Sequence, residues 1–399
     1  MSVIPTIDLA ADSPERQAAL IKHALSSVGF FAVQDAGPAS EDIATVFRDS
    51  KTFFGLEMHE KETYLAGRSG SGYTKLLSQA LGEGRRDHKE TFSYGKYCAN
   101  TTQPMPPPFK DSAEATETIK RFYQACHDVS ERLMELFALA LEVSPSDLAG
   151  IPHLLGGTSS ELTSFADSRG LMSVSVCCAP MLRCDSATVR QLDDVTLPKE
   201  HFRQSHSFGL NTAMSLIHYP RLSDTERAEM NMMDIRAGEH KDWGTMTLLF
   251  QEPSGAPGLQ VYLPRSAIDV SPTSQVPLPV PGTSRLEAED TWAWYDAPVP
   301  PPGGFLVNVG LAMELWSSGA YKATLHRVIF PDEGALGDRD TLAFFVQPDD
   351  DVALHPVLPG GIVDTSQKAI TSGELFDSKL QESMNRFKKE TTDTPSIRA

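Results

Sequence analysis

Arg236-Ala237-Gly238-Glu239-His240-Lys241-Asp242-Trp243-Gly244 is the stretch on which the reading of this chain turns. It runs directly into Met246-Thr247-Leu248-Leu249-Phe250, an apolar run of strand character. In an extended segment residues two apart point to the same side, so His240 and Asp242 converge while Lys241 points away. One imidazole and one carboxylate make half of a mononuclear site. His326, in Thr324-Leu325-His326-Arg327-Val328, is placed to supply the third ligand from a distant strand. Two histidines and one carboxylate leave coordination positions open, as Fe(II) requires to bind a co-substrate and dioxygen together. Zinc accepts the same ligands, but its hydrolytic sites need a general base as well, and none is evident nearby. A lone His-x-Asp says little in a chain with 11 His and 53 acidic residues. The flanking Gly238 and Gly244, and the strand that follows, give this one its weight.

Working outward, the chain from Leu210 is strand-rich: Ala213–His218, Met246–Phe250, Leu259–Leu263, Phe305–Val309, Thr324–Ile329 and Thr341–Val346. Gly and Pro clusters separate these runs, which predicts an all-β barrel or double-sheet roll. Ahead of it, 4–9 and 28–34 read as short strands around a helix from Pro14 to Ser27, started by Ser13 and Pro14. A second helix is expected from Ser40 to about Phe54. The longest helical stripe covers 113–142, with Ile119, Phe122, Cys126, Val129, Leu133, Leu136, Phe137, Ala140 and Leu141 on one face. Asn100 to Phe109, rich in proline, predicts extended loop, and Gly373 to Lys389 a closing helix. Residues 151–199 have neither period and read as an irregular insertion. The expected divisions are an N-terminal region 1–112, a scaffold helix 113–150, the insertion 151–199, a β-roll core 205–350 and a C-terminal tail 351–399.

The 399 residues are 40% hydrophobic with a formal net charge of −18. Such a balance argues against general affinity for nucleic acid or anionic membrane, because phosphate binding needs clustered Lys and Arg. No run approaches the ~18 uninterrupted apolar residues of a membrane helix, and the first residues carry no signal-peptide pattern. Five scattered cysteines (Cys98, Cys126, Cys177, Cys178 and Cys184) fit reduced thiols in a cytoplasmic protein better than a disulfide framework. The last three lack the paired spacing of a zinc site.

Most of the chain resembles the isopenicillin N synthase-type iron/2-oxoglutarate-dependent dioxygenases. The resemblance rests on Ile4-Pro5-Thr6-Ile7-Asp8-Leu9, Gly29-Phe30-Phe31, Phe53-Phe54-Gly55-Leu56, Lys61, Gly72-Tyr73 and Asp87-His88-Lys89-Glu90-Thr91-Phe92 in the front half. In the back half His218-Tyr219-Pro220, Arg236 to Asp242, Gly258-Leu259-Gln260-Val261, His326-Arg327-Val328 and Arg339-Asp340-Thr341 follow in family order. Around 236–261 the pattern is similar to a fungal thymine-dioxygenase-like branch. The resemblance implies an α+β fold: a double-stranded β-helix (jelly-roll) core with an N-terminal α/β region and flanking helices. It implies His240, Asp242 and His326 as metal ligands and catalytic centre. Arg339, Thr341 and Tyr219 would bind the distal carboxylate of 2-oxoglutarate, Arg339 through a charge-assisted pair.

This chain departs from the family pattern at several positions. Lys241 stands for the usual Thr, Trp243 for His or Tyr, Ile217 for Asn, Leu311 for Asp and Thr341 for Ser; none removes a metal ligand. The expected function is therefore an Fe(II)- and 2-oxoglutarate-dependent dioxygenase, with dioxygen as co-substrate, that hydroxylates, desaturates or cyclises a small organic metabolite in secondary metabolism. Neither a nucleic acid, a membrane nor a protein partner is indicated. The alternatives are a same-fold iron oxidase that does not use 2-oxoglutarate, which succinate release separates, and a catalytically silent binding protein. Trp243, Phe345 and the N-terminal aromatics are candidate walls of the substrate pocket.

Overall fold

The computed structural model describes residues 4–10, 13–67, 71–82, 86–94, 104–142, 197–229, 235–267, 292–330, 337–366 and 368–393. The expected insertion 151–199, apart from 197–199, lies outside the described residues. So do Cys98, Cys177, Cys178 and Cys184.

Helix α1 is Pro14–Ser27, with Ser13 accepting from the Arg16 amide and proline at its first position. It ends at Gly29, whose φ is +76° and whose added Cβ would lie 2.2 Å from the Lys322 carbonyl oxygen, so only glycine serves there. Helix α2 is Ser40–Phe54 and α3 is Ala113–Glu142, the longest stripe, with its apolar face buried. A short helix α4 (Leu311–Trp316) and a closing helix α5 (Ser372–Asp393) follow. The bounds of α1, α2 and α3 follow the expected periodicities closely, because each alternates a buried stripe with a polar one, whereas α4 was not expected from the sequence.

The strands are β1 (Thr6–Asp8), β2 (Phe30–Gln34), β3 (Gly72–Thr74), β4 (Glu90–Tyr94), β5 (Ala213–Tyr219) and β6 (Ile235–His240), continued by β7 (Met246–Gln251), β8 (Leu259–Pro264), β9 (Trp292–Asp296), β10 (Phe305–Val309), β11 (His326–Ile329) and β12 (Arg339–Val346). They form an eight-stranded sheet in the order β1-β2-β10-β7-β12-β5-β4-β3, and a four-stranded sheet β6-β11-β8-β9. This is the jelly-roll core that was expected. Strands from the front of the chain extend the larger sheet, so the sheet is not confined to 205–350.

Alternation along the strands divides two cores. Met246, Leu248 and Phe250 of β7, Phe305, Val307 and Val309 of β10, and Leu342, Phe344 and Val346 of β12 face the helices. Leu306, Tyr219, Phe30 and Ala32 face the smaller sheet, where Ala237, Leu259, Val261 and Val328 meet them. Each fully buried Val, Leu, Phe or Met among them stabilises the fold by about 1.5–3 kcal/mol. Three of the front-half positions quoted above come together beneath β3 and β4. Lys61 Nζ lies 2.9 Å from Glu90 Oε2, and the Tyr73 hydroxyl donates to the same carboxylate at 2.5 Å. The ion pair is buried and pins α2 and its following turn to the sheet edge.

Candidate metal centre and carboxylate pocket

His240 closes β6 and His326 opens β11, and the two are register partners across the smaller sheet. Their rings are 4.3 Å apart between centroids. Asp242 lies two residues past the end of β6, so strand alternation alone does not place it as expected. The irregular stretch that carries it is held by α4: the Leu311 amide donates to the Asp242 carbonyl at 2.8 Å and the Ala312 amide to the Trp243 carbonyl at 3.0 Å. Gly310 allows this approach, since a Cβ there would sit 2.4 Å from the Gly244 carbonyl oxygen.

The result is a cluster in which one donor atom from each of His240, Asp242 and His326 lies within 4.8 Å of the others. Each histidine Nε2 is 3.8 Å from Asp242 Oδ1. The opposite ring nitrogens are already engaged. His240 Nδ1 is 2.7 Å from the Gly238 carbonyl and His326 Nδ1 is 3.0 Å from the Thr324 carbonyl. A carbonyl only accepts, so both Nδ1 atoms carry the proton and both Nε2 lone pairs are left for a metal. The second Asp242 oxygen is likewise engaged, accepting from Thr247 Oγ1 at 2.6 Å and Asn308 Nδ2 at 2.8 Å.

Electrostatics agree with that protonation pattern. Burial, and then the neighbouring His326, push the His240 imidazole down to about 4, so it is neutral at physiological pH. Burial works against the Asp242 carboxylate, but His326, His240, Thr247 and Asn308 outweigh it and hold the group below its ordinary value. Two neutral imidazoles and one oriented carboxylate fit a divalent first-row metal.

On the inner face of the larger sheet a second polar group stands further along the barrel. Arg339 pairs with Tyr219 in register, and Thr341 with Gln251 and Ile217. Alternation puts Arg339 and Thr341 on the same face as Thr247, Gln251, Asn308 and Tyr219. Gln251 is four residues from Thr247 along β7, or about 13 Å at the usual rise. The Arg339 guanidinium lies 5.1 Å from the Tyr219 ring centroid and donates to Gln251 Oε1 at 3.2 Å. Arg339 Nε, Thr341 Oγ1 and Gln251 Nε2 are buried without a hydrogen-bond partner. Such donors are costly inside a protein unless a ligand meets them.

His218, next to Tyr219 in the sequence, points to the other side of β5. It faces the helices, bonded to Asp340 at 2.7 Å and stacked on Phe54. A cleft of about 410 Å³ opens there, lined in part by Lys51, Glu252, His218 and Asp340. Lys51 pairs there with Glu252 at 3.4 Å, and the cleft lies on the opposite face of β12 from Arg339. Trp243 packs edge-on against Phe376 of α5, which brings the closing helix beside the metal cluster. Thr247, Asn308 and Gln251 were not singled out from sequence. The available signal was a polar residue at an inward position of an otherwise apolar strand, as in Phe305-Leu306-Val307-Asn308-Val309.

With this geometry in view, the comparisons with known proteins agree. The family profile described as the N-terminal region of a non-haem dioxygenase in morphine synthesis matches residues 4–112. The profile of the 2OG-Fe(II) oxygenase superfamily matches residues 278–348, which include His326, Arg339 and Thr341. The two matches, at the front and the back of the chain, point to this oxygenase superfamily. Its members use Fe(II), 2-oxoglutarate and dioxygen, and the protein is an oxidoreductase. The oxygenase is 24% identical over 388 residues to the 2-oxoglutarate-dependent dioxygenase traH of Penicillium crustosum, covering 92% of this chain and 90% of that protein. It is 23% identical over 378 residues to 1-aminocyclopropane-1-carboxylate oxidase of Dictyostelium discoideum, covering 86% of this chain and 82% of that one. The fold is similar to that of the thymine hydroxylase of Neurospora crassa, solved with alpha-KG and thymine. The TM-score is 0.64 at 20% identity, over 96% of this chain and 99% of that one.

Proposed function

We propose that His240, Asp242 and His326 hold Fe(II), and that Arg339, Thr341 and Tyr219 hold the distal carboxylate of 2-oxoglutarate. The oxygenase would then oxidise a small organic metabolite, by hydroxylation or by desaturation or cyclisation, in secondary metabolism. One observation carries this reading. The open metal cluster and the unpartnered Arg339 Nε, Thr341 Oγ1 and Gln251 Nε2 stand at two ends of one inward face of the barrel. A five-carbon dicarboxylate that chelates at one end presents its second carboxylate at the other. The secondary-metabolism part is supported by the names of fungal relatives, and cytoplasmic residence by the scattered cysteines; both belong to the proposal. Among the described residues no helix is long and apolar enough to cross a membrane.

The chain's own residues set up the chemistry as follows. The Gly238 and Thr324 carbonyls fix both imidazoles with Nε2 inward. Thr247 and Asn308 fix the Asp242 carboxylate so that a single oxygen points at the metal position. Arg339 neutralises the distal carboxylate in surroundings from which water is largely excluded, where a charge-assisted bond is strongest. Iron bound there supplies the oxidation of a C–H bond by dioxygen, coupled to decarboxylation of 2-oxoglutarate to succinate.

Turnover with a metabolite extract tests the proposal, following succinate release and the mass gain of one oxygen. Arg339→Gln should raise the apparent KM for 2-oxoglutarate at least about tenfold, since truncating one partner of a buried charge pair costs about 2–5 kcal/mol. Substrate oxidation without succinate would mean an oxidase that does not use 2-oxoglutarate. An unchanged KM would move Arg339 to the substrate.

A further inference from the structure

A second arginine stands at the carboxylate end of the barrel. Arg236 is 1% exposed, and two of its three guanidinium nitrogens, Nε and Nη1, are buried without a partner. The third donates to the Gly337 carbonyl at 2.7 Å, two residues before Arg339. The guanidinium carbon lies 4.9 Å from the centroid of the Phe330 ring.

The register of β6 explains why this side chain is where it is. Val328 of β11 pairs with Ala237, but the next residue, Ile329, pairs with Ile235. Arg236 is therefore the extra residue of a β-bulge, a device that re-aims a side chain. Ala237 beside it keeps its place in the core between the sheets. Phe330 follows Val328 by two residues, and the inner face of β11 is thereby extended beneath the guanidinium.

Carboxylates stand near Arg236, but none bonds it. Burial, and next the nearby Arg339, push its guanidinium down to about 10, with Tyr219, Asp338 and Asp340 acting the other way. Those two carboxylates are engaged elsewhere: Asp338 accepts from the Arg221 amide at 2.8 Å and Asp340 is bonded to His218. Two buried guanidiniums thus share the neighbourhood of Tyr219, with three unpartnered N–H-bearing nitrogens between them. A buried charge held in this way is destabilising until an anion meets it.

We infer that Arg236 is a second binding residue for the distal carboxylate of 2-oxoglutarate, acting beside Arg339 rather than through it. The inference rests on the carboxylate pocket proposed above. A carboxylate has about four lone-pair sites and can take a guanidinium from each of two directions. The chain would therefore favour a co-substrate with a full negative charge at that end.

The test is an anaerobic titration of the Fe(II)-loaded protein, following the visible charge-transfer absorption of a chelated 2-oxo acid. The probes are 2-oxoglutarate and 2-oxobutyrate, which lacks the distal carboxylate. Arg236→Gln should raise the Kd for 2-oxoglutarate about tenfold or more and leave that for 2-oxobutyrate unchanged. Arg236→Met keeps an unbranched side chain at this position and carries the same expectation if the glutamine variant does not fold. In an Arg339→Gln background Arg236→Gln should weaken 2-oxoglutarate again, by several-fold. Loss of the effect in that background would make Arg236 only a brace for the Gly337–Arg339 turn and would overturn the inference. An unchanged Kd in the single variants would overturn it as well. If the wild-type protein itself forms no such complex with 2-oxoglutarate, it is the carboxylate pocket that fails.

Discussion

Replacing Asn308 by leucine removes one of the two donors that orient the Asp242 carboxylate while keeping a similar volume on β10. Asn308 Nδ2 lies 2.8 Å from Asp242 Oδ2, and Thr247 Oγ1 lies 2.6 Å from the same oxygen. Hydrogen bonds to a charged group contribute about 1.5–3 kcal/mol each. Part of that free energy goes into holding the other oxygen toward the two histidine Nε2 atoms, as outer partners of metal ligands do. Asn308→Leu should therefore weaken Fe(II) or Co(II) binding about 10- to 100-fold. Thr247→Val should act in the same direction. Anaerobic competition against a chelator of known affinity measures the change, and near-ultraviolet circular dichroism checks that packing is kept. Metal affinity within about twofold of wild type in a correctly packed Asn308→Leu protein would refute the idea that this hydrogen bond prepares the ligand set.

Three further outcomes follow from the geometry. A Cβ on Gly238 would lie 2.2 Å from the Gly82 amide nitrogen, so Gly238→Ala should displace β6, lower the thermal midpoint and reduce metal affinity; a wild-type midpoint would contradict the close approach. Lys61→Met leaves Glu90 buried without its cation and should destabilise the fold by about 3–5 kcal/mol, read by denaturant unfolding, whereas no loss would mean the pair is dispensable. His206 is enclosed between the Phe202 carbonyl and Thr245 Oγ1, and burial pushes it down to about 4 from an ordinary 6.5. The unfolded chain then binds this proton at a higher pH than the folded one, so stability is full above 6.5 and falls as pH drops towards 4. His206→Gln should remove about 3 kcal/mol of that acid-induced loss, and an unchanged pH slope would assign the loss to other groups.

The helices and most core strands were legible because their periods are local. Pro14–Ser27, Ser40–Phe54 and Ala113–Glu142 announce themselves by buried stripes, and α1 also by its cap. Strand β6 was less so, since Arg236, Gly238 and Glu239 blur the alternation and the bulges break it. Strand β9 was not picked out although Pro298 to Gly304 marks its end, because only Trp294 of its five residues is buried and the alternation is weak. That His240, Asp242 and His326 come together was legible, because residue chemistry and order suffice to nominate them. The way Asp242 reaches the site was not, because it depends on α4 and Gly310, some 70 residues downstream. Thr247, Asn308, Gln251 and Arg236 share that difficulty. Each has a role only through its register on a face assembled from several strands, and no local pattern encodes the register between strands distant in sequence. The departure of Thr341 from the family's serine costs nothing visible, because the hydroxyl still stands unpartnered on the inward face.

On the proposed function, His240, Asp242 and His326 hold an iron ion that 2-oxoglutarate chelates within this barrel. The most direct measurement adds Fe(II) and then 2-oxoglutarate, without oxygen, to the wild-type protein and to His326→Ala. The expected result is a visible charge-transfer absorption that saturates at one iron and one 2-oxoglutarate per chain in wild type and is absent in the variant. The same absorption at the same affinity in a folded His326→Ala protein would contradict it.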